Sequence, residues 1–163
     1  MTAQLIQHEK KLQETILNQY IECTRLLEEF FSIEPDTCWK KNNIGCCGVN
    51  KNIADYGITG HASERLFNLR EERRLQTVPE NPEPDSRCPY HTTESGCVLE
   101  ELKSPWCAAY TCAKPSVKYD TPYVYFTLSS ILEAQFPEDN QQLIKEFKNY
   151  MQGLIVEAKA SKK

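Results

Sequence analysis

Cys88-Pro-Tyr-His91-Thr-Thr-Glu-Ser-Gly96-Cys97-Val-Leu-Glu-Glu-Leu-Lys-Ser104-Pro105-Trp-Cys107-Ala-Ala-Tyr-Thr-Cys112 is the stretch around which this chain is organised. It holds four of the eight cysteines at C-x8-C-x9-C-x4-C spacing. Gly96 permits a turn just before Cys97, and residues 98–103 have the makings of a short helix. Ser104-Pro105 carries an N-cap followed by proline at the first helical position, a helix start signal. Cys107 then falls in a first turn, where backbone N–H groups and the helix dipole favour a thiolate.

A second cysteine group lies upstream. Cys38, Cys46 and Cys47 occur in residues 36–60, an aperiodic run rich in turn formers, among them Gly45, Gly48, Gly57 and Gly60. Glycines on both sides of Cys46-Cys47 let the backbone fold tightly around something. Adjacent cysteines usually point different ways, so one is expected to be a ligand and the other to support, bridge or face a second site. The two groups are joined by a connector with Pro79, Pro82 and Pro84 and no apolar period, a stiff and extended linker.

The flanks read as helices. Over residues 4–31, Leu12, Ile16, Tyr20, Cys23, Leu27 and Phe30 recur at steps of three and four, which puts them on one face. Cys23 belongs to that stripe and reads as a small buried hydrophobe. His8 reads as a solvated residue. Pro35 ends this helix region. Residues 61–75 form a second helix with Leu66 and Leu69 inward and Leu75 as a candidate third. Its mixed charges, Glu64, Arg65, Arg70, Glu71, Glu72, Arg73 and Arg74, read as a solvated face. His61 reads as an ordinary loop residue. Asp120-Thr121-Pro122 opens a helix with Val124, Tyr125, Leu128, Ile131, Leu132 and Phe136, which Pro137 breaks. The last helix, 138–159, carries Leu143, Phe147, Tyr150, Leu154 and Ala158 on one face, with Glu138-Asp139 at its start. The expected fold is mainly α: a single domain over residues 1–163 in which the helices of 4–31 and 120–159 frame a cysteine-rich loop metal site within 36–114.

Composition narrows the function. At 163 residues the chain can bury a core without disulfide staples, and a net charge of −4 gives no attraction to nucleic acid or anionic lipid. No apolar run approaches the roughly 20 residues needed to cross a bilayer, and residues 1–10 lack the uninterrupted apolar core expected of a secretory signal. The expected compartment is the cytoplasm, where thiols stay reduced and clustered cysteines serve more often as metal ligands or catalytic groups than as disulfides. Three readings of the thiols stand: a metal centre, a redox switch or disulfide framework, and a nucleophilic enzyme. Zinc takes four sulfur or nitrogen ligands and a [4Fe–4S] cluster takes four thiolates. The chain has no C-x2-C pair, so zinc-ribbon, rubredoxin and thioredoxin-like motifs are absent. With three histidines and no local general base, no catalytic constellation is identified. His91 is the best placed histidine for either a base or a further ligand.

The run of Cys88-Pro, Gly96-Cys97, Pro105-Trp-Cys107 and the aromatic Tyr110 before Cys112 resembles the YkgJ-like CxxCxxCC cysteine-cluster family of zinc- or iron-chelating domains. The resemblance covers about residues 38–112. In the first half Cys38-x7-Cys46-Cys47 stands where the family has C-x2-C-x2-C-C, and Lys103-Ser104 stands where it usually has an arginine before the proline. Cys38 is a possible substitute for the missing ligand. The retained positions are Cys46, Cys47, Cys88, Cys97, Cys107 and Cys112. What the resemblance implies is chelation of zinc or iron, with an iron–sulfur cluster as one form. Some flagellin lysine methylases have a similar cluster, so an iron–sulfur enzyme or subunit, in redox chemistry or methyl transfer, is the alternative. Soft thiolates suit both metals, so the donor set alone does not separate them.

Overall fold

A computed structural model describes residues 3–33, 55–78, 88–92, 96–110, 115 and 117–162. The mainly α expectation holds. Five helices, α1 (Ala3–Ile33), α2 (Ser63–Thr77), α3 (Pro105–Ala109), α4 (Thr121–Glu133) and α5 (Gln141–Ser161), carry nearly all the regular structure. Among the described residues there are also a two-stranded antiparallel ladder, β1 (His91–Thr92) with β2 (Gly96–Cys97), and 3-10 turns at Glu100–Leu102 and Pro137–Asn140.

Helix α1 is the spine. Its stripe of Ile16, Leu17, Tyr20, Cys23, Leu27 and Phe30 is buried, as the three-and-four spacing requires. It packs along α5 and α4 and also receives the Glu100–Leu102 turn. From α4 come Val124, Leu128, Ile131 and Leu132, and from α5 Phe147, Met151, Leu154 and Ala158. Burying each of the larger of these side chains is worth about 1.5–3 kcal/mol. Phe30 stacks on Tyr119 with ring planes 6° apart, closing the far end of the core.

Local chemistry sets the helix boundaries. Asp120 caps α4 through a hydrogen bond from the Tyr123 N–H at 3.0 Å, with Pro122 in the first turn. The strand-prone Tyr-Val-Tyr-Phe opening of α4 is helical. Capping and the continuing three-and-four period outweigh local β propensity there. The break at Pro137 is real but longer than expected. Pro137–Asn140 forms a 3-10 turn, α5 starts at Gln141, and Glu138 and Asp139 therefore belong to that turn. Asp139 Oδ2 accepts a hydrogen bond from the Phe136 N–H at 3.2 Å, and Phe136 is left half exposed.

Two expectations for α2 need correction. Leu75 is 72% exposed and Arg70 is fully buried. Nine residues at about 100° each put Leu75 half a turn from Leu66, whereas Arg70, four residues on, lies on Leu66's face. The turn leading into α2 is fixed by Gly60. Its φ is +86°, and a Cβ there would lie 2.3 Å from the Leu132 carbonyl oxygen. Only glycine allows the chain to cross the end of α4 this closely. Thr59 Oγ1 donates to Glu133 at 2.7 Å beside it. This crossing carries Asp55 to Arg70.

Among the described residues, no helix is long and apolar enough to cross a membrane.

Candidate metal centre

Three of the six expected ligands, Cys88, Cys97 and Cys107, fall within the described residues. Cys46, Cys47 and Cys112 lie outside them, as do Cys38 and the Gly45 and Gly48 flanks. Cys88 and Cys97 are free thiols. Among the described residues no group of three or more His, Cys, Asp or Glu side chains is assembled as a metal site. Cys88 and Cys97 come from the irregular segment before α3, and Cys107 from α3 itself.

The backbone brings Cys97 back over the start of the segment. His91 pairs with Cys97 and Thr92 with Gly96 across the ladder, and the Val98 N–H donates to the Tyr90 carbonyl at 2.9 Å. Cys88 and Tyr90 are both buried, each 4% exposed. Beyond Cys97, Leu99 and Leu102 anchor the Glu100–Leu102 turn in the core, which is shorter than the helix expected over 98–103.

Side chains from α1 and α2 then hold the turn's carbonyls. Thr24 Oγ1 donates to the Glu101 carbonyl at 2.7 Å, and the Tyr20 hydroxyl donates to the Lys103 carbonyl. Arg73 Nη1 donates to the Leu99 carbonyl at 3.2 Å, and its Nη2 pairs with the Glu101 carboxylate at 3.3 Å. Lys103 forms an ion pair with Glu28 of α1. Residues 97–107 are thus clamped between two helices, with a cysteine at each end.

The start of α3 follows the expected signal. Ser104 is fully buried and caps the helix, its Oγ accepting from the Cys107 N–H at 3.3 Å, with Pro105 at the first position. Cys107 is half-buried in this five-residue helix. The cap fixes the backbone on which its thiol is carried.

The electrostatics around these thiols are mixed. Burial pushes the Cys97 thiol up. Lys103, the Leu99 N–H and Arg70 pull it the other way, while Glu28 adds to the rise. Arg70 is the residue that sequence reasoning misplaced. Its Nη1 lies 2.9 Å from Asp55 Oδ1, and its guanidinium sits 4.6 Å from the Tyr90 ring centroid and 5.7 Å from that of Phe67. Burial raises the Tyr90 phenol to about 12, opposed by Arg70 and helped by Asp55 and by its hydrogen bond to Glu71 at 3.1 Å. Burial likewise holds the Tyr20 phenol well above its ordinary range, with Arg70 lowering it and Cys107 and Cys23 raising it. Tyr20, Arg70, Cys97 and Cys107 therefore share one electrostatic neighbourhood. The spacing of Arg70 from Leu66 was the available signal, obscured by the charges around it.

Cys23 stands apart. It is fully buried in the α1 stripe, and burial, with Glu22, pushes its thiol up to about 12. It behaves as the apolar residue that the helix period implied.

Cys88, Cys97 and Cys107 are sulfur donors of the type that zinc and iron accept, and among the described residues they are not gathered into one site. Comparison with family models, with curated proteins and with solved structures found no match to this chain.

Proposed function

We propose that this chain is a metal-binding protein that chelates zinc or iron, the latter also as an iron–sulfur cluster, through Cys46, Cys47, Cys88, Cys97, Cys107 and Cys112. The observation that carries the reading is the division of the described cysteines. Cys23 is consumed by the helical core, whereas Cys97 and Cys107 flank a turn held by Tyr20, Thr24 and Arg73, with Cys88 joined to it through the ladder. Four side-chain hydrogen bonds and a buried cap spent on one short irregular segment are what a preorganised ligand loop needs. The resemblance to the YkgJ-like cysteine-cluster family supports the same reading. A reducing compartment such as the cytoplasm would keep these thiols available.

The test is anaerobic purification followed by assay of bound iron, zinc and acid-labile sulfide and a visible absorption spectrum. Zinc without colour assigns a zinc centre. A broad charge-transfer band with stoichiometric sulfide assigns a cluster. Metal-free protein whose thiols are oxidised to intramolecular disulfides would sink the proposal and favour a thiol redox switch.

A further inference from the structure

We infer that the N-terminal end of α1 is a self-association surface, on which a second copy of this chain docks antiparallel about a twofold axis. None of the cysteines takes part in it.

Helix α1 is longer than the bundle it anchors. Helix α5 starts beside Gln19, whose side chain is hydrogen-bonded to the Pro137 carbonyl and to Asn140, each at 3.0 Å. It then runs parallel to α1, with Lys148 paired to Glu22 and Lys159 to Glu29. Helix α2 starts beside Glu14, which pairs with Arg65 at 3.1 Å. Residues 3–12 of α1, about 15 Å of helix, therefore project past both. Every residue from 4 to 11 is exposed, all the way round the helix. Yet the stripe that α1 buries elsewhere continues here. Leu5, Glu9, Leu12 and Ile16 lie within about 60° of one another around the helix axis. Leu5 is 59% exposed and the neighbouring Ile6 43%. Where the projection meets the bundle, Glu9, Leu12, Ile16, His61 and the half-exposed Phe136 line a cleft of about 300 Å³ that is open to solvent.

A helical segment of this length is marginal in water without tertiary packing, and α1 has no acidic residue in its first turn to support it. Exposed apolar side chains beside an apolar cleft mark a contact surface. A second copy supplies both missing parts: each projection carries a leucine for the other's cleft, and each cleft covers the other's projection. The charges agree. Through residue 14 the segment holds Glu9 and Glu14 against Lys10 and Lys11, so two copies meet there without net repulsion although each chain carries −4. The same balance gives no pull toward nucleic acid or anionic lipid. A twofold axis midway between His8 and Glu9 sets Leu5 on Leu12 of the second copy. It also sets Glu9 on the other His8, not on a second Glu9. Leu5 of each copy then enters the other's cleft, between Leu12, Ile16 and Phe136. One short helix crossing lies at the small end of protein interfaces, so a reversible dimer in the micromolar range is expected.

The experiment is sedimentation velocity on the full chain from about 5 to about 500 µM, a range that brackets weak interfaces, with reductant present so that disulfides join no copies. Wild type is expected to pass from monomer to dimer across that range. Leu5→Glu should weaken association more than roughly tenfold, since a twofold contact loses each side chain twice. Leu75→Glu, at the exposed leucine of α2, should leave it unchanged. Leu12→Lys alone should also dissociate the dimer. Mixing it with Leu5→Glu should restore association, through one leucine pair and one ion pair across the axis. Circular dichroism checks that each variant is folded; should Leu12→Lys not fold, Leu5→Glu against Leu75→Glu decides. Four results overturn the inference: wild type monomeric throughout, a dimer indifferent to Leu5→Glu, equal losses in Leu5→Glu and Leu75→Glu, or no association on mixing the folded variants. Slow amide exchange of residues 4–11 in a monomeric wild type would put another part of this chain, not a second copy, on that face.

Discussion

Cys23 and Cys97 are the same residue type in opposite circumstances, and the contrast yields the most direct test of how the cysteines are divided. Cys23 is sealed between α1 and its neighbours, so exchanging its sulfur for a hydroxyl puts a poorly matched polar group in an apolar site. Cys23→Ser is expected to cost about 1–2 kcal/mol of stability and leave metal content unchanged. Cys97→Ser or Cys107→Ser should instead lower metal affinity by more than the roughly 10–100-fold that a supporting residue costs, and destabilise the loaded protein, since binding energy is also folding energy. Metal analysis paired with urea titration separates the two classes, and loss of metal in Cys23→Ser would refute the division. Gly60 makes a purely structural counterpart. With φ at +86° and the Leu132 carbonyl where a Cβ would go, Gly60→Ala must both strain the backbone and push α4 away. A loss of roughly 2–4 kcal/mol is expected in the urea midpoint, well above an ordinary Gly→Ala exchange.

At the scale of elements, α3 shows how much one hydroxyl can position. The helix has only five residues, too few to hold itself, so its geometry depends on the Ser104 cap, on Pro105 and on packing against α4. Ser104→Ala removes the acceptor for the Cys107 N–H in a site closed to water. A cost of about 1–2 kcal/mol is expected in unfolding, with weaker metal binding because the Cys107 backbone is no longer fixed. Ser104→Thr should retain most of both, and equal metal affinity in wild type and Ser104→Ala would separate the cap from the site. This element was legible beforehand because capping chemistry is local: a serine, a proline and a thiol within four positions. The long helices were legible for a similar reason, since the period of α1 and α4 is strong and unbroken. Arg70 was not. Its burial depends on the Gly60 crossing bringing Asp55 over it and on Tyr90 folding back beneath the ladder, and both are tertiary events. Nor did local sequence indicate that α5 would begin after a 3-10 turn, where Asp139 turns back to the Phe136 N–H instead of capping the longer helix. The site is half legible in the same sense. The loop clamp on residues 97–107 comes from Tyr20, Thr24 and Arg73, whose hydroxyls and guanidinium look from sequence like ordinary helix-face residues.

Over the whole molecule, the core contains several groups whose protons are harder to remove because the fold keeps them dry. Cys23, Tyr20, Tyr90 and Tyr119 all have their acidities weakened, with burial as the first cause in each case. Opposing this at acid pH is Glu101. Burial alone would raise its carboxyl, but the hydrogen bond from Arg73 and the nearby Arg25 hold it low instead. The signs differ accordingly. Glu101 contributes stability above the unfolded carboxylate range, near 4.3, which is lost as pH falls through its lower folded value. For the buried thiol and phenols, the unfolded chain gives up protons that the native state retains. Their contribution is complete below the unfolded value and is lost as pH rises from it toward the folded one. The unfolded thiol titrates first, near 8.5, ahead of tyrosine near 10. Cys23 reaches about 12 in the fold, so above 8.5 its own contribution should fall by about 1.4 kcal/mol per pH unit. Cys23→Ala lacks this term. At pH 7 the variant is expected to be less stable than wild type by about 1–2 kcal/mol through lost packing. That gap should close as pH rises above 8.5 and reverse near pH 10. Urea unfolding of the metal-free, reduced proteins at half-unit steps from pH 7 to 10.5 measures it. A gap that stays constant across the range would mean that water reaches Cys23, and that the α1 stripe is not the sealed seam on which α4 and α5 close.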